Sequence, residues 1–264
     1  MFQWSDPNYL RTVQYRNGAS LSARIELYRR FSTNPYGWFR WVFDQFELTP
    51  SRRLLELGCG SGDLWAENQL RIPERLELIL TDLSEGMANQ ARQNLALPNY
   101  PWRFATLDAQ AIPFPEACFD AVVALHVLFH IPNRAKALSE IRRVLKPRGR
   151  FYTSTLGERH LRELPLLLEK FNPGIAPQGE KRPFTLENGP AQLAPWFTEV
   201  AMAKYEDSLH VREAGPLVDY ILSSPFHGVQ EEQREELLEF IDKELKAQGG
   251  AMGITTEAGL IIAH

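Results

Sequence analysis

Residues 54–65 read LLELGCGSGDLW: an apolar run interrupted by Glu56, then glycines alternating at 58, 60 and 62, then a return to helix-like spacing. An apolar stretch ending in closely spaced glycines predicts a buried strand that turns tightly into a helix, with backbone amides left bare for a ligand. The spacing bears on which ligand. A dinucleotide loop needs G-x-G-x-x-G, but here the pattern is G-x-G-x-G, and Asp63 stands where the last glycine would fall. A P-loop needs Lys followed by Ser or Thr at the helix start, and Asp63-Leu64 occupies that place. A carboxylate there repels a pyrophosphate. Two readings remain open for these residues alone: a cofactor lying against the backbone, or a turn that simply requires glycine dihedrals.

Outward from this loop the chain alternates strand and helix. Arg53–Leu57 reads as a strand, followed by a helix from about Gly62. Leu76–Thr81 is the next strand, and Ser84 is placed to N-cap the helix after it. Trp102–Leu107 and Phe119–Leu125 follow; the continuous AVVAL of the latter suits a strand buried on both faces. Ala137, Leu138, Ile141, Val144 and Leu145 mark one face of a helix over 133–145, which stops at Lys146-Pro147, and Gly149–Thr155 is a fifth strand. Such alternation with short connections predicts a doubly covered, mostly parallel sheet with right-handed crossovers.

The flanks are less regular. Residues 1–50 are rich in aromatics, among them Trp4, Tyr15, Tyr28, Tyr36, Trp38 and Trp41, and two helices are expected there, forming a lid or cap. After Thr155 a helix is expected over Glu158–Phe171. A Pro- and Gly-rich insertion follows at about 172–190, then strand character over Phe197–Val211. Helices near Gly215–Leu222 and Glu231–Gln248 precede a last strand, Ile254–Ala263.

Composition narrows the function classes. A chain of 264 residues with net charge −4 has no overall positive field to gather nucleic acid or an anionic membrane. The basic residues of 134–150 fall on the polar side of their helix and are read as a solvated face. Cys59 and Cys118 stand far apart without a CxxC or Cys/His cluster, so neither a disulfide framework nor a metal site is expected. The N-terminus lacks the basic and apolar regions of a secretory signal, and no apolar run is long enough to span a bilayer. A cytoplasmic location is the expectation.

Two acids mark the strand ends after the glycine loop. Asp82 is suited to accept both hydroxyls of a ribose, and Asp108 to accept from an adenine amine; either residue is equally readable as a turn or cap acid. Together with the loop they put three candidate groups in a row at the carboxyl edge, where open α/β sheets bind ligands. With these residues in view, LLELGCGSG (54–62), TDLSEGM (81–87), LDAQAIPFPEACFDAVVALHVLFHI (107–131) and LSEIRRVLKPRGRF (138–151) resemble the ordered motifs of class I S-adenosylmethionine-dependent methyltransferases. The similarity is to their small-molecule branch, which includes the ubiquinone- and menaquinone-biosynthesis enzymes, and it is strong over about 52–156.

The resemblance implies a Rossmann-like seven-stranded α/β sheet, mostly parallel, with helices on both faces and an antiparallel final strand, and a methyltransferase domain over 51–264. It implies S-adenosylmethionine as cofactor, S-adenosylhomocysteine as product and an unidentified small-molecule acceptor. Carried over by position, Glu56 opens the first motif, and Gly58, Cys59 and Gly60 bring backbone to the methionine half. Asp82 takes the ribose hydroxyls, with Leu83 and Met87 beside the ribose and adenine. Asp108 and Ala109 meet the adenine, and the Leu125 carbonyl lies near the methionine ammonium. His126, just past the fourth strand, is the candidate base or acceptor orienter, with a packed near-core histidine as the other reading. A non-catalytic binder of the same cofactor is the alternative function. An NAD-dependent oxidoreductase is disfavoured by Asp63 and the missing glycine.

Overall fold

The computed structural model describes residues 5–95, 100–174, 182–224 and 227–264. The elements run α1 (Pro7–Tyr9, continued by a π-helical turn Leu10–Gln14), α2 (Ala19–Phe31), α3 (Trp38–Asp44), β1 (Arg53–Leu57), α4 (Asp63–Asn68), β2 (Glu77–Asp82), α5 (Glu85–Asn94), β3 (Arg103–Thr106), β4 (Phe119–Leu125), α6 (Arg134–Val144) and β5 (Leu145–Leu156). They continue as α7 (Glu163–Phe171), α8 (Gly189–Leu193), β6 (Val200–Tyr205), β7 (Ser208–Val211), α9 (Ala214–Leu222), α10 (Arg234–Ala247), β8 (Met252–Thr255) and β9 (Ala258–Ala263).

Seven strands form one sheet in the order β3-β2-β1-β4-β5-β9-β6. The pairs from β3 to β5 are parallel, and β9 runs antiparallel to both of its neighbours, β5 and β6. The seven-stranded, Rossmann-like sheet with an antiparallel last strand is therefore the observed fold. Alternate residues of the central strands explain its two covered faces. Leu55, Leu57, Val122 and Ala124 share a core with Ala137, Leu138 and Ile141 of α6. Leu54, Ala121 and Val123 share the other with Val42 and Phe43 of α3, Leu64 and Trp65 of α4, and Ala91 of α5. The chain leaves β1 toward β2 and β3 on one side, then crosses to β4 and β5 on the other. The order thus reverses between β1 and β4, and a crevice opens at their carboxyl ends.

A third core lies beside the sheet. Leu27 and Phe31 of α2 pack there with Leu164 and Leu168 of α7, Leu217, Val218 and Ile221 of α9, Leu237 and Ile241 of α10, and Leu209 and Ile254 of the two-stranded β7–β8 sheet. Helix α2 is thus held by the C-terminal part of the chain.

Several boundaries differ from the sequence reading, each for a local reason. The helix expected from Glu158 begins at Glu163. Ahead of it the backbone donors of Gly157 and Leu161 are spent on Glu257 O (3.0 Å) and Thr255 O (2.8 Å), and Leu161 sits at φ 55°, which helical geometry excludes. The fifth strand starts at Leu145, before Pro147, because the β4–β5 ladder is bulged: Phe119 to Ala121 is matched by Leu145 to Arg150. Phe197–Val211 is two strands in two sheets, broken where the Asp207 carboxylate accepts from Thr33 N and Asn34 N (both 3.0 Å). The last segment divides likewise into β8 and β9. Of the expected insertion at 172–190, residues 175–181 lie outside the described residues, as does Trp4; α8 occupies its end. No helix among the described residues is long and apolar enough to cross a membrane, and no cluster able to hold a metal ion is found among them.

Candidate active site

Strand β1 delivers the chain to the crevice and the glycine loop turns it. Gly58, Gly60 and Gly62 have φ of 72°, 55° and 82°, a region that side chains disfavour. At Gly58 a Cβ would also collide with Val127 Cγ2, from the turn after β4. The loop therefore needs glycine both for its dihedrals and for close approach. Cys59 N donates to Thr81 O (2.8 Å), tying the loop to the end of β2, and the Cys59 side chain is buried, which pushes its thiol well above the usual range.

Beneath the loop Glu56 is 2% exposed and accepts from Trp65 Nε1 at 2.6 Å. Burial raises its carboxyl to about 7, opposed by the Trp65 bond and assisted by the nearby Asp82 charge. Asp82 ends β2 with its Oδ2 accepting from Gly60 N (3.1 Å) and its Oδ1 from Ser84 N (2.8 Å). It is raised to about 6 by burial, which outweighs those backbone bonds. Asp82 thus braces the glycine loop from the next strand. Ser84 caps α5, its Oγ accepting from Met87 N (3.3 Å). Past β3, Asp108 accepts from Gln110 N (2.8 Å) and Gln110 Nε2.

These groups line one cavity of about 1260 Å³. Glu56, Gly58, Cys59, Gly60, Asp82, Leu83, Met87, Asp108, Ala109 and Leu125 all reach it, as does His126. His126 has φ 55°; its N–H donates to Ser154 Oγ (3.0 Å), and its ring lies 5.3 Å from that of Trp38. Its Nδ1 is buried without a hydrogen-bond partner, and burial, helped by the charge of Arg182, lowers the ring to about 4. The imidazole is therefore neutral at pH 7. Asp63 opens α4 and its carboxylate receives the Ser61 hydroxyl.

The N-terminal segment closes over this wall. Ser84 Oγ donates to Tyr15 O (2.7 Å), a Cβ on Gly60 would come within 2.9 Å of Leu21 Cδ2, and one on Gly86 would meet Arg16 O. Arg24, one turn beyond Leu21, donates to Tyr15 Oη, Ser223 Oγ and Ser223 O (each 3.1 Å). Tyr15 Oη also pairs with His130 Nε2 (3.1 Å).

The far wall holds groups that carry no motif. Tyr28 Oη lies 2.9 Å from His160 Nε2, and Arg182, Tyr220 and His227 line the same space. They come from α2, the turn before α7, the stretch before α8, and α9 with its exit. No local pattern in the sequence joins them.

With this geometry described, comparison with known proteins is informative. Residues 55–153 match the family model described as a methyltransferase domain. The ubiquinone/menaquinone biosynthesis C-methyltransferase UbiE of Vibrio cholerae is 30% identical over 143 residues, covering 53% of this chain and 55% of that protein. The match thus spans about half the length of that curated relative. Among solved structures, Haemonchus contortus phosphoethanolamine N-methyltransferase 2 with S-adenosyl-L-methionine superposes with a TM-score of 0.61 at 18% identity, covering 100% of this chain and 60% of that one. The YcgJ protein of Bacillus subtilis gives 0.54 at 19% identity, covering 85% and 96%. Sheet order and strand-end crevice define the class, a Rossmann-like α/β fold of the class I methyltransferase type. Over residues 55–153 the chain is similar to the methyltransferase domain family.

Proposed function

We propose that this protein transfers a methyl group from S-adenosylmethionine to a small-molecule acceptor. The observation that carries the reading is the convergence of the glycine loop, Asp82 and Asp108 on one wall of a single cavity. Those groups fit an adenosine with a short amino-acid tail. The Asp82 oxygens each accept one backbone N–H and keep further lone pairs for two ribose hydroxyls. Leu83 and Met87 would flank the ribose and adenine, Asp108 would accept from the adenine amine, and Ala109 would add backbone. Glu56, Gly58, Cys59 and Gly60 would border the methionine half, and the Leu125 carbonyl would accept from its ammonium. A pyrophosphate is poorly matched, because the Asp63 carboxylate sits on the first turn of α4.

When bound, the cofactor supplies a methyl group on a sulfonium, with a neutral thioether as its leaving group. The chain's own task is alignment and exclusion of water, which in well-oriented systems is worth up to roughly 7–11 kcal/mol. Residues 1–50 act as the cover over the domain of 51–264, through Tyr15, Leu21 and Arg24. A neutral imidazole lowered to about 4 is a poor proton acceptor at pH 7, so His126 orients the acceptor by hydrogen bonding in this reading. The relatives' names differ in the acceptor atom, carbon in one and nitrogen in another.

Calorimetric titration with S-adenosylhomocysteine tests the reading, with NADH as the control. S-Adenosylhomocysteine is expected to bind and to stabilise by about 2.7 kcal/mol at 100 times its dissociation constant. Binding of NADH but not of the sulfur ligand would overturn it. Asp82→Ala is expected to weaken S-adenosylhomocysteine about 10- to 100-fold, as loss of a charged hydrogen-bond acceptor does. Because ribose hydroxyls donate to a carboxylate and Asp82 titrates at about 6, wild-type affinity should fall as pH drops below 6. Transfer of a labelled methyl to a metabolite pool separates an enzyme from a binder.

A further inference from the structure

The part of the cavity lined by Tyr28, His160, Arg182 and Tyr220 is rich in hydrogen-bond donors. Arg182 is held on anchored backbone: Pro183 O accepts from Gln192 Nε2 (2.9 Å), Phe184 is fully buried, and Phe184 O accepts from Thr155 Oγ1 (2.8 Å). Its guanidinium lines the cavity and, among the described residues, has neither an ion pair nor a hydrogen bond. Arg24 is bound only to neutral oxygens of Tyr15 and Ser223. Of the acids lining this side, Asp207 is already engaged by Ser32, Thr33 and Asn34, and Glu158 is exposed and forms no ion pair with Arg182 or Arg24 among the described residues. Two guanidinium groups taken partly out of water without a carboxylate are costly unless an anion joins them.

The hydrogen bonds also fix where the Tyr28 proton points. Glu257 N donates to His160 Nδ1 (3.1 Å), so the neutral ring carries its hydrogen on Nε2. That Nε2–H donates to Tyr28 Oη (2.9 Å), leaving the Tyr28 hydroxyl hydrogen for another acceptor, and Tyr28 lines the cavity. Burial keeps His160 well below its usual range and Tyr28 well above, so both hold these states at neutral pH. A fork of guanidinium donors beside a hydroxyl donor is matched by a planar or tetrahedral oxyanion. Trp38 and Phe129, which flank His126, offer an apolar surface alongside.

We propose that the methyl acceptor carries an oxyanion, a carboxylate or a phosphate, bound by Arg182 and the Tyr28 hydroxyl, with its apolar part against Trp38 and Phe129. This rests on the methyltransferase reading for the word acceptor, and on the cavity alone for the anion.

The test is a ligand-observed NMR titration of benzoate, phenyl phosphate and uncharged benzamide against the full chain saturated with S-adenosylhomocysteine. At least one anion is expected to bind about 10-fold or more tightly than benzamide, the gain typical of charge-assisted pairing. Which anion wins separates carboxylate from phosphate. Arg182→Gln should abolish the preference and Tyr28→Phe reduce it, while S-adenosylhomocysteine affinity stays within about twofold by calorimetry. Should Arg182→Gln fold poorly, Tyr28→Phe removes one hydroxyl and keeps the ring. The proposal is overturned if neither anion exceeds benzamide, including if none of the three binds, or if Arg182→Gln keeps the preference. Failure of the wild-type chain to bind S-adenosylhomocysteine counts instead against the methyltransferase reading, and the anion preference is then measured on the protein without it.

Discussion

Glu56 is an acid kept in a place where it prefers to be neutral. Its folded-state value of about 7 lies above the unfolded 4.5, so the native state holds a proton that the unfolded chain releases between those values. The associated stability is present below pH 4.5 and lost as pH rises through 7, amounting to about 3 kcal/mol at 1.36 kcal/mol per unit. His126 and His227, both lowered to about 4, act in the opposite sense and gain stability as pH rises from 4 toward 6.5. Comparison with Glu56→Gln isolates the acid: urea unfolding of the variant relative to wild type should show a stability difference that grows in the variant's favour from pH 4.5 to 7. A flat difference would refute the assignment. At this scale Asp82 and Asp108 were legible, because an acid closing an apolar strand is a local pattern. Tyr28 was readable only as one of the residues of the N-terminal segment able to close over a ligand, and Arg182, His160 and Tyr220 were not legible, because nothing local distinguishes a cavity-facing arginine or tyrosine from a surface one.

The glycine loop shows how an element can be legible down to its geometry. Alternating glycines after a buried strand predicted a turn, and the positive φ at all three supplies the reason. Gly58→Ala combines a left-handed backbone, costing roughly 1–2 kcal/mol for a side chain, with a collision against Val127. Thermal unfolding should report a destabilisation of at least that size, with S-adenosylhomocysteine affinity falling in parallel. Adding Val127→Ala should recover only part of it, since the smaller neighbour relieves the collision and leaves the dihedral. Gly215→Ala, in α9 with open space around its Cβ, should be neutral or slightly stabilising. The elements whose bounds differ from the sequence expectation share a cause. The start of α7, the bulged start of β5 and the split of 197–211 into two strands are all set by bonds to distant residues: Glu257 and Thr255, Phe119, and the Ser32–Asn34 turn. A window of neighbouring residues contains none of those partners.

Across the whole molecule, the two ends of the chain complete each other. Helix α2 is capped by the core of α7, α9 and α10, and β9 threads between β5 and β6 to finish the sheet. Leu27, fully buried in that core, should cost about 2–5 kcal/mol when replaced by alanine, read as a lower urea midpoint with an unchanged slope. Loss of α2 packing should also weaken cofactor binding, because Leu21 and Arg24 on the same helix face the glycine loop and the cavity. The sequence by itself determined the alternation of β1 to β5 with their helices, the crevice at their carboxyl ends and the acids that border it, because strand periodicity, glycine turns and caps are short-range physics. Only the tertiary structure decided that β6 and β9 pair, that β7 and β8 leave the main sheet, and that Arg24, Tyr28, His160, Arg182 and Tyr220 meet in one space. Those choices depend on which distant surfaces bury each other, and a cavity has no sequence of its own.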